Sequence, residues 1–253
     1  MKVSIITASY NSESTIRKTL DSVRKQTWND IEHIIIDGKS GDKTLQIIND
    51  FPHISKVVSE VDDGIYDAMN KGISMSTGDV IGFLNSDDWF YDTTIIANYV
   101  DIFRSVDTDA VYGDLCFIQN NQSNNIYRRW ISCEYKIGSF MKGWVPPHPT
   151  FYCKKEIFER CGSFNSNLLF AADFDLMCRF FNDNSFNATY LPGIKVNMLL
   201  GGATTKNFKN IVKGNIEIYN SLKVNIHRPG ISFFIWKIYN RLTQLIFRGE
   251  ANG

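Results

Sequence analysis

The stretch Ile34-Ile35-Ile36-Asp37-Gly38-Lys39-Ser40-Gly41-Asp42 decides the fold. Three consecutive β-branched residues make a short strand that is apolar on both faces, as in a parallel sheet covered on both sides. A polar, glycine-containing turn closes it, and Asp42 stands where it can cap a helix carrying Leu45, Ile48 and Phe51. The same unit recurs on either side. Upstream, Val3–Thr7 ends at Ala8-Ser9-Tyr10-Asn11-Ser12, after which Ile16, Leu20 and Val23 recur at helical spacing, with Asn11 or Ser12 as a cap. Downstream, Val57-Val58 is a third strand, Ile65, Ala68, Met69 and Ile73 form a helical stripe, and Val80–Leu84 runs into Asn85-Ser86-Asp87-Asp88. This alternation predicts an α/β, Rossmann-like, mostly parallel sheet with helices on both faces.

After Tyr112 the pattern changes. Leu115–Gln119 and Ile126–Trp130 predict antiparallel strands around the polar loop Asn120–Asn125. Helices are expected near Lys154–Cys161 and Asp173–Phe181, a strand near Lys195–Leu200, and a further helix beginning with Phe208, Ile211, Val212 and Ile216. No linker rich in Pro, Gly or Ser divides the 253 residues, which predicts one mixed domain.

Lys+Arg and Asp+Glu are equal at 27 each, so no global field draws the chain to nucleic acid or to an anionic membrane. The five cysteines, Cys116, Cys133, Cys153, Cys161 and Cys178, lack metal-ligand spacing and predict reduced thiols in a cytoplasmic protein. Met1 runs straight into a strand-like segment, leaving no room for a signal peptide.

The polar residues gather where the strands end: Tyr10 after the first, Asp37 after the second, Asp62-Asp63 after the third, Asp87-Asp88 after the fourth. Open α/β sheets bind ligands outside the carboxyl ends of their strands. A single Asp there is often only a helix cap, but the coincidence of all of them favours a site. Neither GxGxxG nor GxxxxGK[ST] is present, so a glycine-rich phosphate cradle is missing. Adjacent carboxylates such as Asp87 and Asp88 repel one another, and a hard divalent cation bridging them to phosphate relieves that cost. Mn2+ or Mg2+ is the expected cofactor; a solvated acidic turn is the bland alternative.

Several blocks together resemble glycosyltransferase family 2: Thr7-Ala8-Ser9-Tyr10-Asn11, Ile34 to Asp42, Asp63-Gly64-Ile65-Tyr66-Asp67-Ala68-Met69-Asn70-Lys71-Gly72 and Leu84-Asn85-Ser86-Asp87-Asp88-Trp89. His148-Pro149-Thr150-Phe151, Cys161-Gly162-Ser163-Phe164, Ala172-Asp173-Phe174-Asp175-Leu176 and Gly201-Gly202-Ala203-Thr204 extend it over about residues 1–206. The resemblance, strongest to bacterial enzymes of O-antigen and surface-polysaccharide synthesis, implies a GT-A fold with a small antiparallel acceptor-side region and C-terminal helices. It divides the chain into one domain over 1–222, with a nucleotide-sugar-binding half (1–114) and an acceptor-binding half (115–222), and a tail over 223–253. By that resemblance Tyr10 lies against the nucleobase and Asp37 hydrogen-bonds it, and Ala8, Asp63, Lys71 and Asp87 belong to the nucleotide-sugar set. Asp63 and Lys71 equally suit capping and solvating a helix. Asp87 and Asp88 stand for the metal signature, whose first position is Asn85 here, and Asp88 is favoured as the inner-sphere ligand. Asp173 corresponds to the catalytic base, although it also suits an N-cap, a role for which Asp175 is better placed. Trp144 and His148 are expected on the acceptor side, where His148 equally suits a structural role. With Asp173 as base the resemblance implies one in-line displacement and inversion, and the missing QxxRW motif favours addition of a single sugar. A uridine nucleotide-sugar donor and a polyprenyl diphosphate-linked saccharide acceptor are the implied partners. A sugar-phosphate nucleotidyltransferase would want a Gly-rich, Arg-containing loop after the first strand, where this chain has Ser9-Tyr10-Asn11. A non-catalytic nucleotide-sugar-binding protein has only Asn85 in its favour.

From Lys223 to Gly249 there are five Lys/Arg and no Asp or Glu. Ile231, Phe234, Ile235, Ile238, Leu242, Leu245 and Ile246 follow helical spacing there, with Lys237, Arg241 and Arg248 off the stripe. A basic amphipathic helix with aromatics suits an anionic membrane surface, which predicts a peripheral protein on the inner face of the cell membrane. The same pattern also suits a helix packed on the domain or a dimer contact.

Overall fold

The computed structural model describes residues 1–120, 123–201 and 208–226, and beyond these only Phe233, Ile235, Trp236 and Tyr239. Most of the tail expected to form an amphipathic helix lies outside the described residues.

Strands β1 (Val3–Ser9), β2 (Ile31–Asp37), β3 (Ile54–Ser59) and β4 (Val80–Phe83) are parallel, in the order β3-β2-β1-β4. Helices α1 (Ile16–Arg24), α2 (Thr44–Asn49) and α3 (Ile65–Met75) connect them. The strand side chains alternate as the β-branched runs require. Ile6 joins the core cluster of α3, while Val3 and Ile5 join the opposite one. Ile34 and Ile36 pack with Ala68 of α3, and Ile35 packs with Ile16, Leu20 and Ile48 of α1 and α2.

The sheet continues beyond β4 through β8 (Tyr152–Lys154), β6 (Ala110–Asn120), β9 (Ala188–Leu199) and β5 (Trp89–Phe90), and β7 (Ser123–Trp130) pairs with β6. The predicted antiparallel pair is the β6–β7 ribbon. Helices α5 (Lys155–Cys161), α6 (Ala172–Asn182) and α7 (Phe208–Asn225) stand where helices were expected, and α7 runs past residue 222. Helix α4 (Ile95–Ser105) and the short strands β5 and β8 have no counterpart among the expected elements. Strand β9 starts seven residues before the expected Lys195, running through Pro192-Gly193. Gly193 adopts φ +98 and donates its N–H to the Asp114 carboxylate at 2.9 Å, and the β6–β9 register shifts at Tyr112/Asp114 to absorb the irregularity.

One buried polar pair gives the fold a pH dependence. His33 in β2 is fully buried, with Nε2 3.1 Å from Thr7 Oγ1 and Nδ1 3.2 Å from His53 Nε2. Burial, with His53 adding to it, lowers its pKa from the ordinary 6.5 to about 3. Between those values the unfolded chain binds the proton and the folded one does not. Its contribution is therefore complete above pH 6.5 and falls on acidification, with a slope of about 1.4 kcal/mol per pH unit for one proton. His33→Gln is expected to flatten the acid side of a melting-temperature profile, whatever it does to the absolute value. A slope as steep as that of the unsubstituted protein would assign the acid sensitivity to other groups.

Candidate active site

The order β3-β2-β1-β4 reverses direction at β1, so the carboxyl ends of β1 and β4 flank a crevice at the topological switch point. A cleft of about 650 Å³ opens there and extends to the first turn of α6. Ala8, Tyr10, Asp62, Asp87, His148 and Asp173 all line it. A separate hollow of about 490 Å³ on α1, beside Lys18 and Trp89, contains none of these residues.

The loops after β1 and β2 hold each other. Asn11, at φ 47, donates its N–H to Ser40 Oγ at 2.9 Å and accepts from Gly41 N–H at 2.9 Å through Oδ1. Ser12 donates its N–H to Thr44 Oγ1 at 2.7 Å. Neither Asn11 nor Ser12 caps α1 with its side chain: the Asn11 amide is engaged by Gly41 N–H, and the Ser12 hydroxyl lies 2.8 Å from Ser86 Oγ in the loop after β4; the N-cap position is Thr15. Asp42 does accept from the Thr44 N–H that opens α2, at 2.9 Å. With its loop pinned, Tyr10 remains 67% exposed over the cleft, an open aromatic face beside the strand ends.

Asp37 is placed differently from a base-binding residue. It is fully buried, and its carboxylate accepts from Ser9 Oγ (3.1 Å), Ser40 N (2.9 Å), Ser40 Oγ (2.5 Å) and Ser59 Oγ (2.8 Å). Four donors fill the acceptor capacity of a carboxylate, so Asp37 ties together β1, β3 and the loop after β2. The carboxylate beside Tyr10 is instead that of Asp62. A Cβ placed on Gly38 would come 2.9 Å from Asp62 Oδ2 and 3.3 Å from Tyr10 Cδ2, so glycine is what allows this approach. Asp63 is exposed and outside the cleft lining. Lys71 is also outside it, paired with Glu60 at 2.9 Å and Asp67 at 3.1 Å. Lys71→Ala is therefore expected to leave nucleotide affinity unchanged in calorimetric titration; a marked loss would place its ammonium on the donor.

After β4 the two adjacent carboxylates part company. Asp87 lines the cleft, whereas Asp88 is 0% exposed behind it. Asp88 Oδ2 accepts from Asn85 Nδ2 at 3.2 Å, and its Oδ1 is buried without a hydrogen-bond partner. Burial raises the pKa of both carboxyls, that of Asp88 well above the ordinary range, with Asp87 adding to the shift. Among the described residues neither makes an ion pair, and no group of three His, Cys, Asp or Glu closes on a metal. Two desolvated carboxylates lacking a cation fit a divalent metal completed by phosphate oxygens. Their placement makes Asp87, not Asp88, the carboxylate that reaches the cleft.

Across the cleft, Asp173 sits in the first turn of α6, where the helix dipole favours negative charge. Its Oδ1 accepts from Phe174 N at 2.8 Å and from Tyr66 Oη at 3.3 Å. The N-cap position is Ala171, and the Glu217 carboxylate of α7 accepts the N–H groups of Leu169, Phe170 and Ala171 at 3.1, 2.8 and 3.0 Å. Asp175 serves α6 in another way than capping: it binds Arg179 Nε at 3.0 Å and Asn225 Nδ2 at 3.1 Å. Arg179 in turn donates to the carbonyls of Cys161, Gly162 and Ser163. His148 lies beside Asp173 in the lining, stacked on Phe83 at 5.3 Å, with Nε2 buried and unpartnered. Burial lowers its pKa, opposed by Asp173, so it is neutral near pH 7. Trp144 is not in the lining; it packs among Tyr112, Tyr135, Phe140 and Phe181.

Asp62, Tyr66 and Glu217 were not among the expected site residues. Asp62 was legible only as half of an Asp-Asp pair after β3, and Tyr66 only as a member of the block Asp63 to Gly72, with no role attached.

A parallel α/β half joined to a mixed extension, in which β6 runs parallel to β9 and antiparallel to β7 and β8, with acids at the switch point, is the GT-A arrangement of nucleotide-sugar transferases. TarS of S. aureus superposes on 100% of this chain with a TM-score of 0.70 at 17% identity, this chain spanning 44% of TarS. TarS 1-349 in complex with UDP gives 0.69 at 18% identity, over 93% of this chain and 68% of that one. The mannosyltransferase PcManGT from Pyrobaculum calidifontis, in complex with GDP-Man and Mn2+, gives 0.63 at 16% identity, over 100% and 76%. In sequence, a PGL/p-HBAD biosynthesis glycosyltransferase of Mycobacterium bovis is 29% identical over 193 residues, 74% of this chain and 73% of its own. The Glycosyl transferase family 2 model matches residues 4–160. The chain belongs to glycosyltransferase family 2.

Proposed function

We propose that this glycosyltransferase moves one sugar from a nucleotide-sugar, with inversion, to a hydroxyl of a lipid-linked saccharide. The observation that carries the proposal is the convergence of Tyr10, Asp87 and Asp173, from three separate elements, on one cleft. A uridine nucleotide suits the likeness to TarS, which is solved with UDP and with UDP-GlcNAc.

In this scheme the nucleobase stacks on the open face of Tyr10, and Asp62 offers it or the ribose a carboxylate acceptor. Asp87, supported from behind by Asp88, would hold Mn2+ or Mg2+ at the donor diphosphate. Such a cation supplies positive charge against the departing nucleoside diphosphate. Asp173 accepts the proton of the acceptor hydroxyl as that oxygen attacks the anomeric carbon from the side opposite the nucleotide. Tyr66 donates to Oδ1 of Asp173 and fixes the carboxylate, leaving Oδ2 for the acceptor. His148 forms part of the acceptor wall.

A product analysis tests the stereochemistry. With an α-linked donor, NMR of the product is expected to show a β linkage. A retained α linkage would exclude a single in-line displacement by the acceptor oxygen with Asp173 as its base.

A further inference from the structure

Helix α7 carries two apolar faces where docking to the domain needs one. Its inner face is accounted for: Leu222 is buried and Ile218 packs against the main core cluster. The other face holds Phe208, Val212 and Ile216 at intervals of four residues, 80%, 41% and 55% exposed, followed by Val224 at 72%. Lys209, Lys213 and Lys223 stand exposed among them. The only acid in α7, Glu217, is taken up by the backbone N–H groups of Leu169, Phe170 and Ala171. The exposed face is thus apolar and uniformly basic. Grouped exposed apolar residues mark an interaction surface, and the interleaved lysines select its chemistry.

We infer that the exposed face of α7 docks on an anionic lipid bilayer. Apolar side chains enter the acyl boundary while flanking lysines meet acidic headgroups, as in interfacial helices. A self-contact of this face would set lysines against lysines, a costly juxtaposition that acidic headgroups relieve. No helix among the described residues is long and apolar enough to cross a membrane. The Glu217 contacts give the docking a consequence for the site. They fix α7 to the segment that enters α6, and Leu169 in that segment is 57% exposed at the cleft wall. Docking α7 therefore holds the cleft rim at the lipid surface. This placement rests on the proposed lipid-linked acceptor, but its test requires no turnover.

The test is flotation of the full chain with vesicles of phosphatidylcholine, with and without phosphatidylglycerol. The protein is expected to float with the anionic vesicles and stay behind with the neutral ones. Phe208→Ser combined with Val212→Ser and Ile216→Ser, and separately Lys209→Glu combined with Lys213→Glu, are each expected to lower anionic binding by about tenfold or more. All these side chains are exposed, so an unchanged melting temperature confirms the fold of each variant. Failure of the unsubstituted protein to float, or undiminished flotation of both variants, would overturn the inference. So would a concentration-dependent dimer that the Phe208 variant dissolves, which assigns the face to a second copy.

Discussion

Asp173→Asn is expected to lower kcat by about 10²–10⁴-fold, the usual loss on removing a general base, with donor Kd nearly unchanged. The amide keeps the shape of the carboxylate, and its oxygen can still accept from Phe174 N and Tyr66 Oη, so the local structure has reason to survive. It cannot take a proton from the acceptor. A residue of only structural value would instead lower melting temperature, donor affinity and rate together. Measuring all three on the same preparations separates the cases. Retention of most turnover would move the base elsewhere in the lining, where His148 is the neighbouring group. Asp175 is disfavoured because Arg179 and Asn225 already occupy its carboxylate.

Asp87→Asn is expected to act on both binding and rate, with turnover falling by about 10²–10³-fold, as when one electrostatic group at a leaving oxygen is lost. Chelation by EDTA should reproduce the effect in the unsubstituted enzyme, and added Mn2+ should reverse it. A readout without turnover follows from the buried pair. Asp88 has its folded pKa raised above the ordinary 3.8 by burial and then by Asp87. The stability linked to its proton is present at low pH and lost as pH rises through that raised value. At neutral pH a cation at this pair should therefore raise the melting temperature by mass action, and Asp87→Asn should abolish the rise. Full turnover in chelator, or a melting temperature indifferent to Mn2+, would remove the metal from the scheme.

Much of the fold was legible because β1, β2 and β4 are buried on both faces, whereas the edge strand β3 alternates. Runs such as Ile34-Ile35-Ile36 have few alternatives, and the polar breaks after them locate the strand ends. Elements held by tertiary contact were not legible. β5 is two residues long and exists because Trp89 and Phe90 pair with Asn197 and Val196. The early start of β9 depends on a bulge beside Asp114. Within the site, sequence located the loops but not which side chain of each reaches the cleft. Asp62 and Asp63, like Asp87 and Asp88, are adjacent acids after a strand, and a change of one residue decides which lines the cleft and which does not. Asp37 carries a family resemblance, yet the serines that saturate its carboxylate come from positions 9, 40 and 59, which only folding brings together.

The most direct test of the central claim is release of nucleoside diphosphate from a panel of nucleotide-sugars in the presence of Mn2+ and membrane-extracted lipid-linked acceptor. The enzyme, Asp87→Asn and Asp173→Asn should be run in parallel. One donor is expected to be turned over by the unsubstituted enzyme, with both variants strongly impaired and only Asp87→Asn losing donor affinity. Equal release by all three proteins would contradict the assignment of this cleft as the site of glycosyl transfer.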